Sequence, residues 1–271
     1  MNTRIVVCPL GLFGSPGTQA GAELIADAIN ELLDDNGAET RPHRARAYRD
    51  RVDIHELAFD TPEAVADWRA AAAEVVDEVR RAGDFLIWIG GNHLSMLPVY
   101  EALADGETLV VQFDAHLDAY NLRDTKAELN HGNYLRYATK LPDIVNVGHR
   151  DLFLRPAQVK RYFRATHAAP SVACDPNGTI AALTESAAAA TRLFVDIDCD
   201  VFDPAYFPAV THPLPFGLSP AMVLRLVEAI WSKKVIGVGL SEFDPGRDVR
   251  DQSLSTLVWL VEYLLLRVYE K

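Results

Sequence analysis

Cysteine is scarce in this chain. There are 3 in 271 residues, Cys8, Cys174 and Cys199, an odd number with no paired spacing. That argues against a disulfide framework and fits a reducing compartment, the cytoplasm. Long apolar runs are also missing. No stretch approaches the roughly 20 residues that a membrane helix needs. The apolar run at the N-terminus stops at Pro9, too short for a secretory core. Positive charge is in deficit, with 26 Lys+Arg against 38 Asp+Glu and a net charge of −12. Such a chain repels nucleic acid and anionic membrane on average. Its one basic stretch, Arg41, Arg44, Arg46, Arg49 and Arg51, reads as a solvated strand edge and loop. Repeats, linkers and low-complexity segments are absent too, so residues 1–271 read as a single domain.

Short apolar runs alternate with amphipathic stretches. Ile5–Cys8, Phe85–Ile89, Leu109–Phe113, Ile144–Gly148, Leu193–Asp198 and Val235–Leu240 read as strands. Thr40–Ala47 reads as an edge-like second strand, and a short strand is expected near Thr166. Helices are expected over Ala20–Leu33, from Thr61-Pro62-Glu63 to about Arg81, over Ser95–Leu103, before Thr191, over Ala221–Trp231 and over Leu254–Val268. Near-continuous apolar strands alternating with helices indicate an α/β fold, a mostly parallel sheet covered on both faces.

In such a sheet, ligands bind outside the carboxyl ends of the strands. The chemically unusual residues sit there. Phe85–Ile89 leads to Gly90-Gly91-Asn92-His93, and Leu109–Phe113 to Asp114-Ala115-His116-Leu117-Asp118. Leu193–Ile197 leads to Asp198-Cys199-Asp200, and Val235–Leu240 to Ser241-Glu242. In extended backbone, the i, i+2, i+4 spacing of Asp114, His116 and Asp118 puts all three on one face. Four carboxylates and two imidazoles meeting at one point would raise one another's pKa values unless cations intervene. The donor set, oxygen with some imidazole, suits Mn²⁺, and six ligands suit two ions with shared carboxylates.

These segments resemble the signature motifs of the ureohydrolase (arginase/agmatinase) family: Gly90-Gly91-Asn92-His93, Asp114-Ala115-His116-Leu117-Asp118, and Asp198-Cys199-Asp200-Val201-Phe202-Asp203-Pro204. Further matches are His131-Gly132, Gly148-His149-Arg150-Asp151 and Glu242 in Leu240-Ser241-Glu242-Phe243-Asp244-Pro245. The resemblance runs from about Gly11 to Pro245 and implies a three-layer α/β/α domain on a mostly parallel eight-stranded sheet. It implies two Mn²⁺ per chain, one held by His93, Asp114, Asp118 and Asp198, the other by His116, Asp114, Asp198 and Asp200. It makes His131 a proton-shuttling imidazole, Asp118 a second proton donor and Glu242 the partner of a guanidinium group. The implied activity is hydrolysis of a guanidino C–N bond to an amine and urea or a substituted urea.

Several residues depart from the family pattern. Asn92 stands where the family usually has Asp. Asp196, Asp198 and Asp200 alternate, so Asp-x-Asp-x-x-Asp-Pro selects Asp198 and Asp200, whereas Asp-Ile-Asp-Cys selects Asp196 and Asp198. The first anchor is favoured. Polar positions that hold the amino-acid end of arginine in arginases fall on Tyr120, Ala127, Phe153 and Pro156. A modified guanidine is therefore expected over L-arginine. Nω-hydroxy-L-arginine is one candidate, with Tyr120, Asn121 and His149 as contacts beside Glu242, and agmatine is another. A catalytically inactive metal-binding regulatory protein is the alternative of another class. The partner implied is a small guanidino molecule, and self-association stays open.

Overall fold

The computed structural model describes residues 1–59, 64, 66–121 and 128–270. Eight strands form one sheet: β1 Thr3–Cys8, β2 Val52–Glu56, β3 Phe85–Gly90, β4 Thr108–Phe113, β5 Asp143–Val147, β6 Ala165–His167, β7 Arg192–Asp198 and β8 Val235–Ser241. Their order is β2-β1-β3-β8-β7-β4-β5-β6, and every described pairing is parallel. The helices are α1 Thr18–Ala38, α2 Trp68–Ala82, α3 Leu97–Leu103, α4 Pro156–Tyr162, α5 Ala169–Cys174, α6 Pro176–Ala189, α7 Pro220–Ile230 and α8 Gln252–Tyr269. No described helix is long and apolar enough to cross a membrane.

Strand side chains alternate between faces, and the alternation builds two cores. Ile5, Val7, Ile87, Ile89 and Val111 pack on one side against α1, α7 and α8. Val6, Cys8, Leu86, Trp88 and Val110 pack on the other against α2 and α3. Three layers result, as the sequence pattern implies. The four strands whose ends carry the unusual residues, β3, β8, β7 and β4, are neighbours at the centre of the sheet.

The second strand was expected over Thr40–Ala47 but lies at Val52–Glu56, pairing with β1 from Thr3↔Val52 to Val7↔Glu56. Residues 44–47 form a 3₁₀ turn that buries Ala45. Three arginines of this stretch are engaged within the chain. Arg44 pairs with Glu270, Arg49 donates to the Asn36 carbonyl, and Arg51 lies over the Tyr269 ring. The helix start expected at Thr61 falls outside the described residues.

Helix α1 sits close to the segment that follows Glu242. A Cβ on Gly21 would lie 1.9 Å from the Phe243 carbonyl oxygen. Alanine there gains about 1 kcal/mol in helix propensity but must displace backbone, and overpacking typically costs about 1–3 kcal/mol. Gly21→Ala is expected to lower the thermal midpoint by roughly 2–6 °C, measured by circular dichroism. An unchanged or higher midpoint would refute this close packing.

Candidate metal centre

The cluster lies where the central strands end. His93 opens a 3₁₀ turn immediately after β3. Its Nδ1 is 2.8 Å from Asp118 Oδ2, 3.2 Å from Asp198 Oδ2 and 3.3 Å from Asp114 Oδ2. His116 Nδ1 is 2.7 Å from Asp200 Oδ2 and 3.9 Å from Asp114 Oδ1. Two groups have the spacing to hold an ion, His93/Asp114/Asp118 and Asp114/His116/Asp200, with Asp114 common to both. Asp198 belongs to neither group, although it adjoins His93. Asp114, Asp118, Asp198 and Asp200 are all buried.

The convergence of Asp114, His116 and Asp118 has a different origin from the one their spacing suggests. Strand β4 ends at Phe113, so these residues lie beyond the pleat. The backbone turns instead, with Asp118 at φ 37°, in the left-handed region. Glu242 is also left-handed, at φ 65°. Strained backbone of this kind collects at functional sites, where surrounding contacts hold it. The Glu242 N–H donates to the Gly91 carbonyl at 2.8 Å, and its Oε1 accepts from the His93 N–H at 2.9 Å.

Backbone donors fix the carboxylates. The Ala115 N–H donates to Asp200, the His116 N–H to Asp114 and the Asp200 N–H to Asp198. Burial, then the nearby Asp118 charge, pushes Asp114 up to about 8. Asp198 is raised by burial and by Asp200 and Asp114. Burial also works to raise Asp200, but the His116 imidazole beside it holds that carboxyl below the usual carboxylate range. His116 is driven the other way, to about 10, because its carboxylate neighbours outweigh its burial. Burial raises Glu242, with His131 opposing.

A cavity of about 420 Å³ opens over the cluster, lined by His116, Asp118, Tyr120, His131, Gly132, Asp198, Asp200, Thr211, His212, Pro213, Leu214 and Glu242. A larger one, about 630 Å³, lies at the opposite ends of β3, β7 and β8 against Phe85, Arg192 and Val235. It adjoins none of the clustered imidazoles, so the chemistry belongs to the smaller cavity. His131 and Tyr120 face that cavity, but Asn121 and His149 do not line it, contrary to expectation. Asn121 is exposed, next to residues outside the description. The His149 imidazole lies near Asp151, His167 and Arg150, and its buried Nδ1 has no hydrogen-bond partner.

Three further groups take parts that the sequence reading did not give them. His212 lines the cavity and stacks on His131, with ring centroids 5.2 Å apart. Arg150 donates to the carbonyls of Gly148, Val201, Asp200 and Leu214, tying together the loops after β5 and β7. Asp196 lies one pleat repeat below Asp198 and bonds His93 Nε2. Of the two anchors open in the sequence, Asp198/Asp200 therefore faces the cavity. Asn92 donates to the Leu12 carbonyl rather than supporting His93.

The model of the Arginase family matches residues 2–266. An N(1)-aminopropylagmatine ureohydrolase from Thermus thermophilus is 29% identical, over 90% of this chain and 84% of that one. A formimidoylglutamase from Halobacterium salinarum is 28% identical, over 90% of this chain and 81% of its own length. Among solved structures, the arginase of Bacillus subtilis superposes with a TM-score of 0.77 at 21% identity, covering 98% of both chains.

The pKa shifts predict a pH effect. In the folded, metal-free chain burial and the Asp118 charge keep Asp114 protonated up to about pH 8, against 3.8 for an ordinary aspartate. The folded state therefore binds more protons, and this contribution to stability is lost as pH rises through that window. His149, His167 and His212, whose pKa values burial lowers, act with the opposite sign. The diagnostic is thus the difference in thermal midpoint between metal-free wild type and Asp114→Asn. Wild type is expected to lose ground from about pH 4 to about pH 8, and Mn²⁺ to restore it by binding the ionised form. A difference that does not change with pH would contradict the assignment.

Proposed function

Because the chain belongs to the arginase family, whose named relatives here are amidino and guanidino hydrolases, we propose that it hydrolyses the guanidino C–N bond of a substrate with a cationic or neutral tail. Agmatine, with its cationic aminobutyl tail, is one such compound. The observation that carries this reading is the cavity itself. His116, Asp118 and Asp200, drawn from two acid–imidazole groups that share Asp114, line it, and Glu242 joins its wall. No Lys or Arg is among its described lining residues, so an anionic tail meets no cation there.

Residues 1–271 act as one catalytic domain in this proposal. Two Mn²⁺ ions would be held, one by His93, Asp114, Asp118 and Asp198, the other by His116, Asp114, Asp198 and Asp200. The residues fit such ions. Asp114 Oδ2 is buried and accepts no hydrogen bond, and the donors are oxygen with two imidazoles. When bound, the ions supply acidified water as nucleophile and offset the carboxylates' charge. Glu242, fixed by the His93 N–H, meets the guanidinium. His131, beside the cavity with its Nδ1 unpartnered, hands a proton to the departing amine nitrogen, with Asp118 as the second acid. The products are the amine and urea. The three free thiols support a cytoplasmic setting.

Two observations weigh on the substrate. Phe153 is 71% exposed and lies outside the cavity lining, so it offers no grip to an α-amino group. Because His149 does not line the cavity either, the added hydroxyl of Nω-hydroxy-L-arginine lacks the partner expected for it. The Thermus relative is named for an agmatine derivative, in line with the same choice. An inactive regulatory protein fits less well, because His131 and Glu242 both face the cavity.

Urea-release kinetics with added Mn²⁺ test the reading. Agmatine is expected to exceed both L-arginine and Nω-hydroxy-L-arginine in kcat/KM. The highest kcat/KM on L-arginine would sink the tail argument. His131→Ala is expected to lower kcat by about 10²–10⁴-fold with metal content unchanged by elemental analysis. An unchanged rate would remove His131 from proton transfer.

A further inference from the structure

Beneath the centre lies a carboxylate that neither the metal nor the substrate reading uses. Asp196 is fully buried on β7, among β4, β8 and α3. Its Oδ2 is 2.9 Å from His93 Nε2, and the same oxygen accepts from the Tyr100 hydroxyl of α3 at 2.5 Å. The other ring nitrogen, Nδ1, faces Asp118, Asp198 and Asp114. The two nitrogens of His93 are therefore divided, one turned toward the carboxylate cluster and one committed to Asp196.

The surroundings are shaped for this arrangement. Asp196 stands opposite Gly239 in the β7–β8 ladder, and a Cβ on Gly239 would lie 2.9 Å from Asp196 Oδ1 and 2.9 Å from the Met96 methyl. Only a residue without a side chain leaves the carboxylate its place. Tyr134 closes another side, its ring edge-on to the imidazole at 5.2 Å. Tyr134 Oη is 3.4 Å from His93 Nε2, longer than the carboxylate contact. The imidazole thus has one short polar anchor behind it and aromatic packing beside it.

We infer that Asp196, held by Tyr100 and given room by Gly239, is a positioning residue that fixes the ring orientation of His93 and keeps its Nε2 proton turned away from the cavity. Nδ1 is then left free to coordinate. A carboxylate behind a coordinating histidine is a general means of fixing tautomer and direction. In this chain it sits two residues before Asp198 on the same strand face, which is why the sequence offers it as a ligand. The inference rests on the metal-centre reading above, since it assigns a role relative to that centre.

The test titrates metal-free wild type, Asp196→Ala, Asp196→Asn and Gly239→Ala with Mn²⁺ alone, in competition with a chromogenic chelator. Thermal unfolding of each metal-free protein is measured alongside. Asp196→Ala is expected to weaken one of the two binding events about 10- to 100-fold and to leave the other within about threefold. Asp196→Asn keeps an acceptor oxygen in place and is expected to recover most of the loss. Gly239→Ala touches neither His93 nor a ligand, yet crowds Asp196, so it is expected to weaken the same event. If Asp196→Ala binds both ions like wild type, the positioning role is refuted while the metal centre stands. Equal weakening of both events with a lower unfolding temperature would also refute it, as general packing. Wild type that takes up no Mn²⁺ would overturn the metal-centre reading and this inference together.

Discussion

Like charge buried in one place is the constraint on which the rest of the molecule depends. Asp114, Asp118, Asp198, Asp200 and Glu242 are each at most 4% exposed and close to one another. Burying an unpaired carboxylate is costly, and neighbouring carboxylates add repulsion. The protein offsets part of this with backbone N–H donors and two imidazoles. What remains shows in Asp114, pushed up to about 8, and in its partnerless Oδ2. A site with such a deficit is a receptor for cations. That constraint underlies both the proposed divalent metal and the proposed cationic guanidinium substrate.

A parallel sheet can gather these charges because all its strands end on the same side. Strands β3, β8, β7 and β4 are adjacent, so four distant stretches of chain meet within one short crevice. Their interiors are apolar and almost entirely buried. The charges that face the cavity gather where the ladder stops; Asp196, deeper within β7, is paired with His93 and Tyr100. Loops then complete the site. Arg150 holds four carbonyls of the surrounding loops, and the Gly91 carbonyl receives the N–H of Glu242.

The strands and the charged residues at their ends were legible because both rest on local pattern. Apolar runs announce buried strands, and an abrupt change to Asp and His announces their ends. Strand β2 was misplaced because its Val-Asp-Ile-His-Glu stretch follows an arginine-rich segment that looks equally edge-like. The 3₁₀ turn that claims Arg44–Ala47 depends on contact with the C-terminal helix through Glu270, a distance of 226 residues that no window covers. Asp196 was ambiguous for a related reason. Its alternation with Asp198 and Asp200 marks a face, but depth along the strand decides which acids reach the cavity. His149 and His212 exchanged importance because loop direction after the strand end, unlike strand direction, is not written in periodicity.

The two left-handed residues link fold to chemistry. A non-glycine residue with positive φ usually costs energy, so it persists only where its surroundings require it. Asp118 and Glu242 belong to different loops, yet both meet His93, one through Nδ1 and the other through the backbone N–H. His93 is thus gripped from three directions once Asp196 is counted. Small displacements of either loop would shift both a proposed ligand and the proposed guanidinium partner. Placing the strain at these two positions, above a sheet too closely packed to relax, lets the site keep its geometry before metal or substrate arrives. Preorganisation of that kind is where electrostatic catalysis gains most. The cost falls on loop backbone rather than on the core.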